Sequence, residues 1–163
     1  DYLFIGTCYS EDYRSFKTAR TNEYAIEILK EYFPKKRIID LDLKKNDKIP
    51  YEGILHLDCT FNPIGKDKCI IYKNGFVDES DYELIVDIFG EENCFNITDE
   101  EMFEMNPNIF SISPEVVVSD HTFTRMNKHL RDVWGFTVEE IPYREVSKMG
   151  GLLRCSTMPL VRE

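Results

Sequence analysis

The chain has no Cys-x-x-Cys pair, no long apolar run, no low-complexity tract and no excess of basic residues. Each absence removes a class of function. The five cysteines, Cys8, Cys59, Cys69, Cys94 and Cys155, are odd in number and widely scattered. That pattern argues against a disulfide framework or a zinc knuckle and for a reducing compartment. No apolar run approaches the length needed to span a bilayer, so no membrane association is expected and a cytoplasmic location is. Lysine and arginine total 20 against 30 aspartates and glutamates, a net charge of −10. Nucleic-acid binding needs a basic footprint to displace counterions, and none is visible, so no nucleic acid is expected as a partner. The Lys35-Lys36-Arg37 and Lys44-Lys45 runs read as solvated loop ends. Neither a P-loop nor a dinucleotide fingerprint occurs, and no His/Cys/carboxylate spacing suits a metal, so the expectation is no metal and no organic cofactor.

What remains is a chain of 163 residues, 42% of them hydrophobic, long enough for one domain with a sizeable core. Its acidic balance suits a cationic small-molecule substrate, although net charge discriminates weakly. The sequence runs from Asp1 straight into the apolar segment Tyr2-Leu3-Phe4-Ile5, as a truncated or processed chain would.

Periodicity divides the chain into a recurring strand–strand–helix–strand unit, which makes the fold class α+β. One copy comprises strands at Gly53–Leu57 and Lys68–Tyr72, a turn at Asn74-Gly75, a helix over Ser80–Phe89 stopped by Gly90, and a strand at Cys94–Ile97. Another comprises strands at Ile109–Ser113 and Val116–Ser119, a helix near Thr124–Trp134 stopped by Gly135, and a strand at Thr137–Ile141. An incomplete copy at the front has a strand at Tyr2–Ile5, a helix over Thr21–Phe33 and a strand at Arg37–Leu43. In that helix Ala25, Ile28, Leu29, Tyr32 and Phe33 keep the spacing of one buried face, Thr21 or Asn22 is its N-cap, and Pro34 ends it. Leu152–Leu160 reads as one more strand. Units of this kind must stack to cover their helix faces, so two full and two partial copies predict an array with neighbours missing. An α+β sandwich with accidental regularity is the alternative.

Three short segments carry chemistry. In His56-Leu57-Asp58 the alternation of a strand puts an imidazole and a carboxylate on one face, where one handles protons and the other holds a cation. Taken alone, the triplet also fits a half-buried structural histidine. Cys155 follows Gly150-Gly151 and precedes Ser156 and Thr157, polar partners that would be odd for a core cysteine, although a lone buried cysteine is the commoner case. Arg20-Thr21-Asn22 stands at a helix start, where an arginine and the helix N-terminus together suit an anion such as a carboxylate; a surface arginine fits as well. His129 and His121 are weaker candidates, the first read as solvent-facing and the second as structural.

Together, Ala19-Arg20-Thr21-Asn22, His56-Leu57-Asp58-Cys59-Thr60-Phe61 and Gly151-Leu152-Leu153-Arg154-Cys155-Ser156-Thr157-Met158-Pro159-Leu160-Val161-Arg162-Glu163 resemble the arginine deiminase and amidinotransferase superfamily. The closest likeness is to arginine deiminase-related proteins. The resemblance implies a pentein fold, an α/β propeller of five strand–strand–helix–strand units around a pseudo-fivefold axis, of which residues 1–163 would supply about three as the C-terminal catalytic part. It implies that Cys155 is the nucleophile, His56 the general acid/base and Asp58 a carboxylate gripping the guanidinium, with Arg20, Asn22 and Arg154 as substrate-binding residues. It implies an arginine-like guanidino substrate and association with a missing N-terminal part or with further copies. The superfamily has another guanidinium-binding carboxylate, commonly in an E-G-G-[DN] stretch; this chain has none, and the resemblance places it upstream of Asp1. A hydrolase giving a citrulline-type product, an amidinotransferase, and an inactive fragment or binding module all remain open.

Overall fold

The computed structural model describes residues 2–10, 13–158 and 160. The described residues form two compact units. The first runs through Leu57 and takes in Lys73–Ile88, and the second comprises Asp58–Tyr72 and the chain from Phe89 onward.

In the first unit, strand β1 (Tyr2–Thr7) pairs in parallel with β2 (Arg37–Asp42), from Tyr2 opposite Arg37 to Thr7 opposite Asp42. A parallel pair needs a crossover, supplied by helix α1 (Glu23–Tyr32). Asn22 caps that helix, its side-chain oxygen accepting the Ala25 N–H at 3.2 Å, and such a cap is worth about 1 kcal/mol. The expected apolar face of α1 is corrected in detail. Ile26 is the buried residue, Ala25 and Leu29 are half-buried, and Ile28, Tyr32 and Phe33 are exposed. The buried stripe is narrower than the apolar stripe and rotated from it, since Ala25, Ile26 and Leu29 rather than the helix's last turn face inward. Cys8, Ile39, Leu41, Leu43, Ile54, Phe76 and Ile85 complete this unit's buried apolar set among the described residues. Helix α2 begins at Glu79, and its Asp81 carboxylate accepts the Asp42 N–H at 2.9 Å, holding the end of β2.

The second unit contains two sheets of one design. Strands β3 (Phe61–Ile64), β4 (Lys68–Ile71) and β5 (Cys94–Asn96) lie in that order, as do β6 (Phe110–Ser111), β7 (Val116–Asp120) and β8 (Thr137–Ile141). In each, the first pair is antiparallel and the second parallel. The β7-to-β8 crossover is helix α4 (Thr124–Asp132), which buries Met126 and Leu130. The β4-to-β5 crossover is α2, ending at Phe89 before Gly90, whose φ of +85° suits glycine. The expected helix–strand units are therefore present. Among the described residues the β1–β2 pair has the same parallel second half and no antiparallel first strand.

Two expected strands are not strands. Gly53–Leu57 is irregular and runs into a single helical turn at Leu57–Cys59; the first strand of that module starts later, at Phe61. Its backbone groups are taken elsewhere: the Ile54 N–H donates to the Lys44 carbonyl, and the Lys45 ammonium binds the carbonyls of Ile54 and Leu55 at 2.8 and 3.0 Å. Leu152–Leu160 contains a short helix, α6 (Leu153–Ser156), instead of a strand. Two further short helices, α3 (Asp99–Phe103) and α5 (Arg144–Ser147), precede β6 and α6 respectively. The first opens on a capping box formed by Thr98 and Glu101. No helix of the described residues is long and apolar enough to cross a membrane.

Candidate functional site

In the second unit the chemistry gathers around Cys155, which is exposed on α6. The turn leading to it needs its two glycines. Gly150 has a φ of +83°, and a Cβ on Gly151 would come within 2.8 Å of the Cys155 Cβ. The N–H groups at the start of so short a helix have no helical partners. The fully buried Asn108 supplies them: its side-chain oxygen accepts the N–H of Leu152 at 3.0 Å and of Cys155 at 3.1 Å, and its backbone carbonyl accepts the Arg154 N–H at 3.1 Å. The amide nitrogen of Asn108 then faces the Cys155 sulfur at 3.2 Å and the Asp58 carbonyl at 3.5 Å. Asn108 is itself fixed from both sides, because the Asn62 amide donates to the carbonyls of Pro107 and Ile109 at 2.7 and 3.2 Å.

Asp58 sits in the single helical turn before β3, with Oδ2 3.7 Å from the Cys155 sulfur. Partial desolvation of the sulfur raises the thiol of Cys155 above its ordinary pKa, and the Asp58 charge adds to the rise; the Asn108 amide opposes it. These influences together favour the thiol over the thiolate. A cation entering beside Asp58 would offset that carboxylate's repulsion and favour the thiolate.

In the first unit a cavity of about 290 Å³ is lined by Phe4, Gly6, Thr18, Arg20, Lys45 and His56, among others. Gly6 lets the His56-bearing segment close on β1, since a Cβ there would meet Leu43 Cδ1 at 2.7 Å and Leu57 Cβ at 3.1 Å. Lys45, by holding the carbonyls of Ile54 and Leu55, fixes the two residues before His56. Three cationic or basic side chains around one cavity make it suited to an anionic group such as a carboxylate.

The structure thus places Arg20 and His56 on one cavity in the first unit, and Asp58 beside Cys155 in the second. His56 and Asp58 belong to irregular chain and a helical turn, which corrects the strand alternation expected for them. Asn22 engages its side-chain oxygen as the cap of α1. Arg154 is exposed on α6, with its backbone N–H committed to Asn108. Pro159 and Val161–Glu163 of the C-terminal motif lie outside the described residues. The residue that sequence reasoning missed is Asn108. Its only local signal is a polar amide at the entrance to the apolar Ile109-Phe110. His129, expected at the surface, packs instead against Phe95 and edge-on to Trp134, with ring centroids 4.7 Å away in both cases.

The sequence profile of the arginine deiminase family matches residues 74–162, more than half of the chain. A Bacillus subtilis (strain 168) protein known as the uncharacterized protein YkgA is 30% identical over 144 residues, covering 88% of this chain and 46% of that protein. The N-terminal domain of ArgZ, an arginine dihydrolase from the ornithine-ammonia cycle in cyanobacteria, superposes with a TM-score of 0.78 at 17% identity, covering 99% of this chain and 52% of that one. SxtG, an amidinotransferase from Microseira wollei in the saxitoxin biosynthetic pathway, superposes with a TM-score of 0.66 at 19% identity over 88% of this chain and 42% of that one. The chain spans about half the length of the relatives it matches. With strand–strand–helix–strand modules of the pentein type and a family match running through the Cys155 segment, the chain belongs to the arginine deiminase family of guanidino-group-modifying enzymes.

Proposed function

We propose that this chain forms the catalytic part of an enzyme that hydrolyses the guanidinium C–N bond of arginine or a close relative through a covalent intermediate on Cys155. The observation that carries the reading is the 3.7 Å approach of the Asp58 carboxylate to the exposed Cys155 sulfur on a turn clamped by Asn108. A carboxylate is a poor neighbour for a thiolate and a good one for a planar cation. The pair makes chemical sense when a guanidinium bridges them, bound through its N–H groups to Asp58 with its central carbon against the sulfur.

In this reading substrate binding activates the nucleophile. The guanidinium charge offsets Asp58, the thiol gives its proton to His56, and the thiolate attacks the guanidinium carbon. His56 protonates the departing nitrogen as the C–N bond breaks, leaving an S-amidino group on Cys155. The same histidine then takes a proton from water, which adds to the amidino carbon; the C–S bond breaks, and a ureido product leaves with the thiol restored. For arginine the products are ammonia and citrulline. Arg20, lining the cavity with His56, suits the substrate's α-carboxylate through a bidentate pair, with Asn22 and Arg154 as further substrate-binding residues.

The test is citrulline release from L-arginine by the full-length protein, with Cys155→Ser as the control. Citrulline in the first and none in the second is expected. Amidino transfer to an added amine, in place of hydrolysis, would assign the protein to the transferase chemistry named for SxtG. Turnover that survives Cys155→Ser would overturn the proposal.

A further inference from the structure

Asn108 is the one buried polar side chain that touches the Cys155 sulfur, among the described residues, and every polar atom of its side chain has a partner on the nucleophile turn or beside it. The network fixes which way its amide points. Two backbone N–H groups, from Leu152 and Cys155, converge on one side-chain atom, and only an oxygen accepts both. The nitrogen must therefore be the atom 3.2 Å from the sulfur, and its N–H donates toward Cys155. An N–H pointed at sulfur strengthens when the sulfur is an anion, so this contact favours the thiolate over the thiol. The backbone that carries the amide is held as well, because the Asn62 amide donates to the carbonyls on both sides of Asn108.

We infer that Asn108 is a positioning residue for the nucleophile, fixing the Cys155 turn through its oxygen and supporting the Cys155 thiolate through its nitrogen. The inference rests on the reading of Cys155 as the nucleophile and adds to it a second role for one side chain, separable by substitution. Asn108→Asp keeps the oxygen that holds the turn and replaces the N–H donor with an acceptor. Asn108→Ser removes the reach to the sulfur with no added charge.

The experiment is the pH profile of Cys155 alkylation by iodoacetamide in the full-length protein, followed by peptide mass spectrometry, with Cys94 as an internal reporter of the fold. With Cys94 labelling unchanged, Asn108→Asp should move the Cys155 profile to higher pH and slow alkylation near neutrality by about three- to tenfold, the loss of thiolate being partly offset by its greater nucleophilicity. Asn108→Ser should move it the same way by less, and decides the matter if the aspartate variant does not fold. A profile unmoved in a folded variant would overturn the inference and leave Asn108 as scaffold alone. The two readings fail separately: turnover surviving Cys155→Ser removes the nucleophile assignment, whereas the alkylation profile reports on Asn108 whether or not the protein turns over arginine.

Discussion

The Asp58 carboxylate stands 3.7 Å from the Cys155 sulfur, so ionising the thiol places two negative charges side by side. Removing one of them should ease the other. Asp58→Asn is expected to lower the Cys155 pKa and quicken its alkylation near neutral pH several-fold, while turnover of a guanidinium substrate falls by about 100-fold or more for lack of the cation's partner. Iodoacetamide labelling and a citrulline assay on the same preparation check both halves. Alkylation slowed together with turnover would mean that Asp58 supports the thiolate.

The cavity lined by Arg20 and His56 makes a prediction about substrate choice. Losing a charge-assisted pair costs about 1.5–3 kcal/mol. Arg20→Ala in the full-length protein should therefore weaken arginine binding by about 10- to 150-fold and agmatine binding far less, because agmatine has no carboxylate. Equal losses for the two compounds would assign Arg20 to holding its loop.

The five thiols should separate cleanly by reactivity. Cys155 is exposed and Cys94 half-buried, whereas Cys8, Cys59 and Cys69 are at most 3% exposed. The Cys69 thiol donates to the Cys94 sulfur at 3.5 Å, which pulls the Cys94 pKa down and pushes that of Cys69 up. A neutral alkylating reagent should modify Cys94 first, Cys155 next, and the other three only after denaturation, as counted by intact mass and mapped by peptide.

Asp120 should be a stability residue with an acid-sensitive contribution. It is fully buried, with one oxygen accepting the Thr122 N–H and hydroxyl at 2.8 and 2.6 Å and the other the Tyr143 N–H at 2.7 Å. Burial opposes its charge, but these hydrogen bonds prevail and hold its pKa below the usual carboxylate value. Stability from a depressed pKa is present above the unfolded-state value and lost as pH falls through the folded one. Asp120→Ala should cost about 2–4 kcal/mol in urea unfolding near neutral pH, and less in acid, once the pH falls through the lowered folded-state pKa of the wild-type carboxylate. A penalty equal at both pH values would assign the loss to packing.

How far the sequence could be read depends on where backbone groups find their partners. The strand at Thr137–Ile141 was legible to the residue, and α2 and α4 to within two residues at either end. There, ladder and helix hydrogen bonds agree with the hydrophobic period. The two failures share a cause. Ile54 and Leu55 have strand-forming side chains, but their carbonyls go to the Lys45 ammonium; around Cys155, the N–H groups that a strand would pair go to Asn108. Side chains 9, 10, 44 and 47 residues away took the place of a ladder, and no local pattern records that. The motif residues Cys155 and Asp58 could be named from their segments, while Asn108, with no motif around it, became visible only once the chain was folded.

The interleaving of the two units has a consequence for how this protein can be divided. The polypeptide leaves the second unit after Tyr72, contributes Lys73–Ile88 to the first, and returns at Phe89. Neither unit is a contiguous stretch, so a single break after Leu57 frees neither: the leading piece lacks Phe76, Ile85 and the Asp81 carboxylate that holds β2, and the trailing piece carries them without their partners. A gene fusion or recombination event crossing over at any one point between Asp58 and Ile88 would scramble both units at once. A leading fragment keeps the described part of the first unit together only if it runs through Ile88, and it then takes β3 and β4 with it.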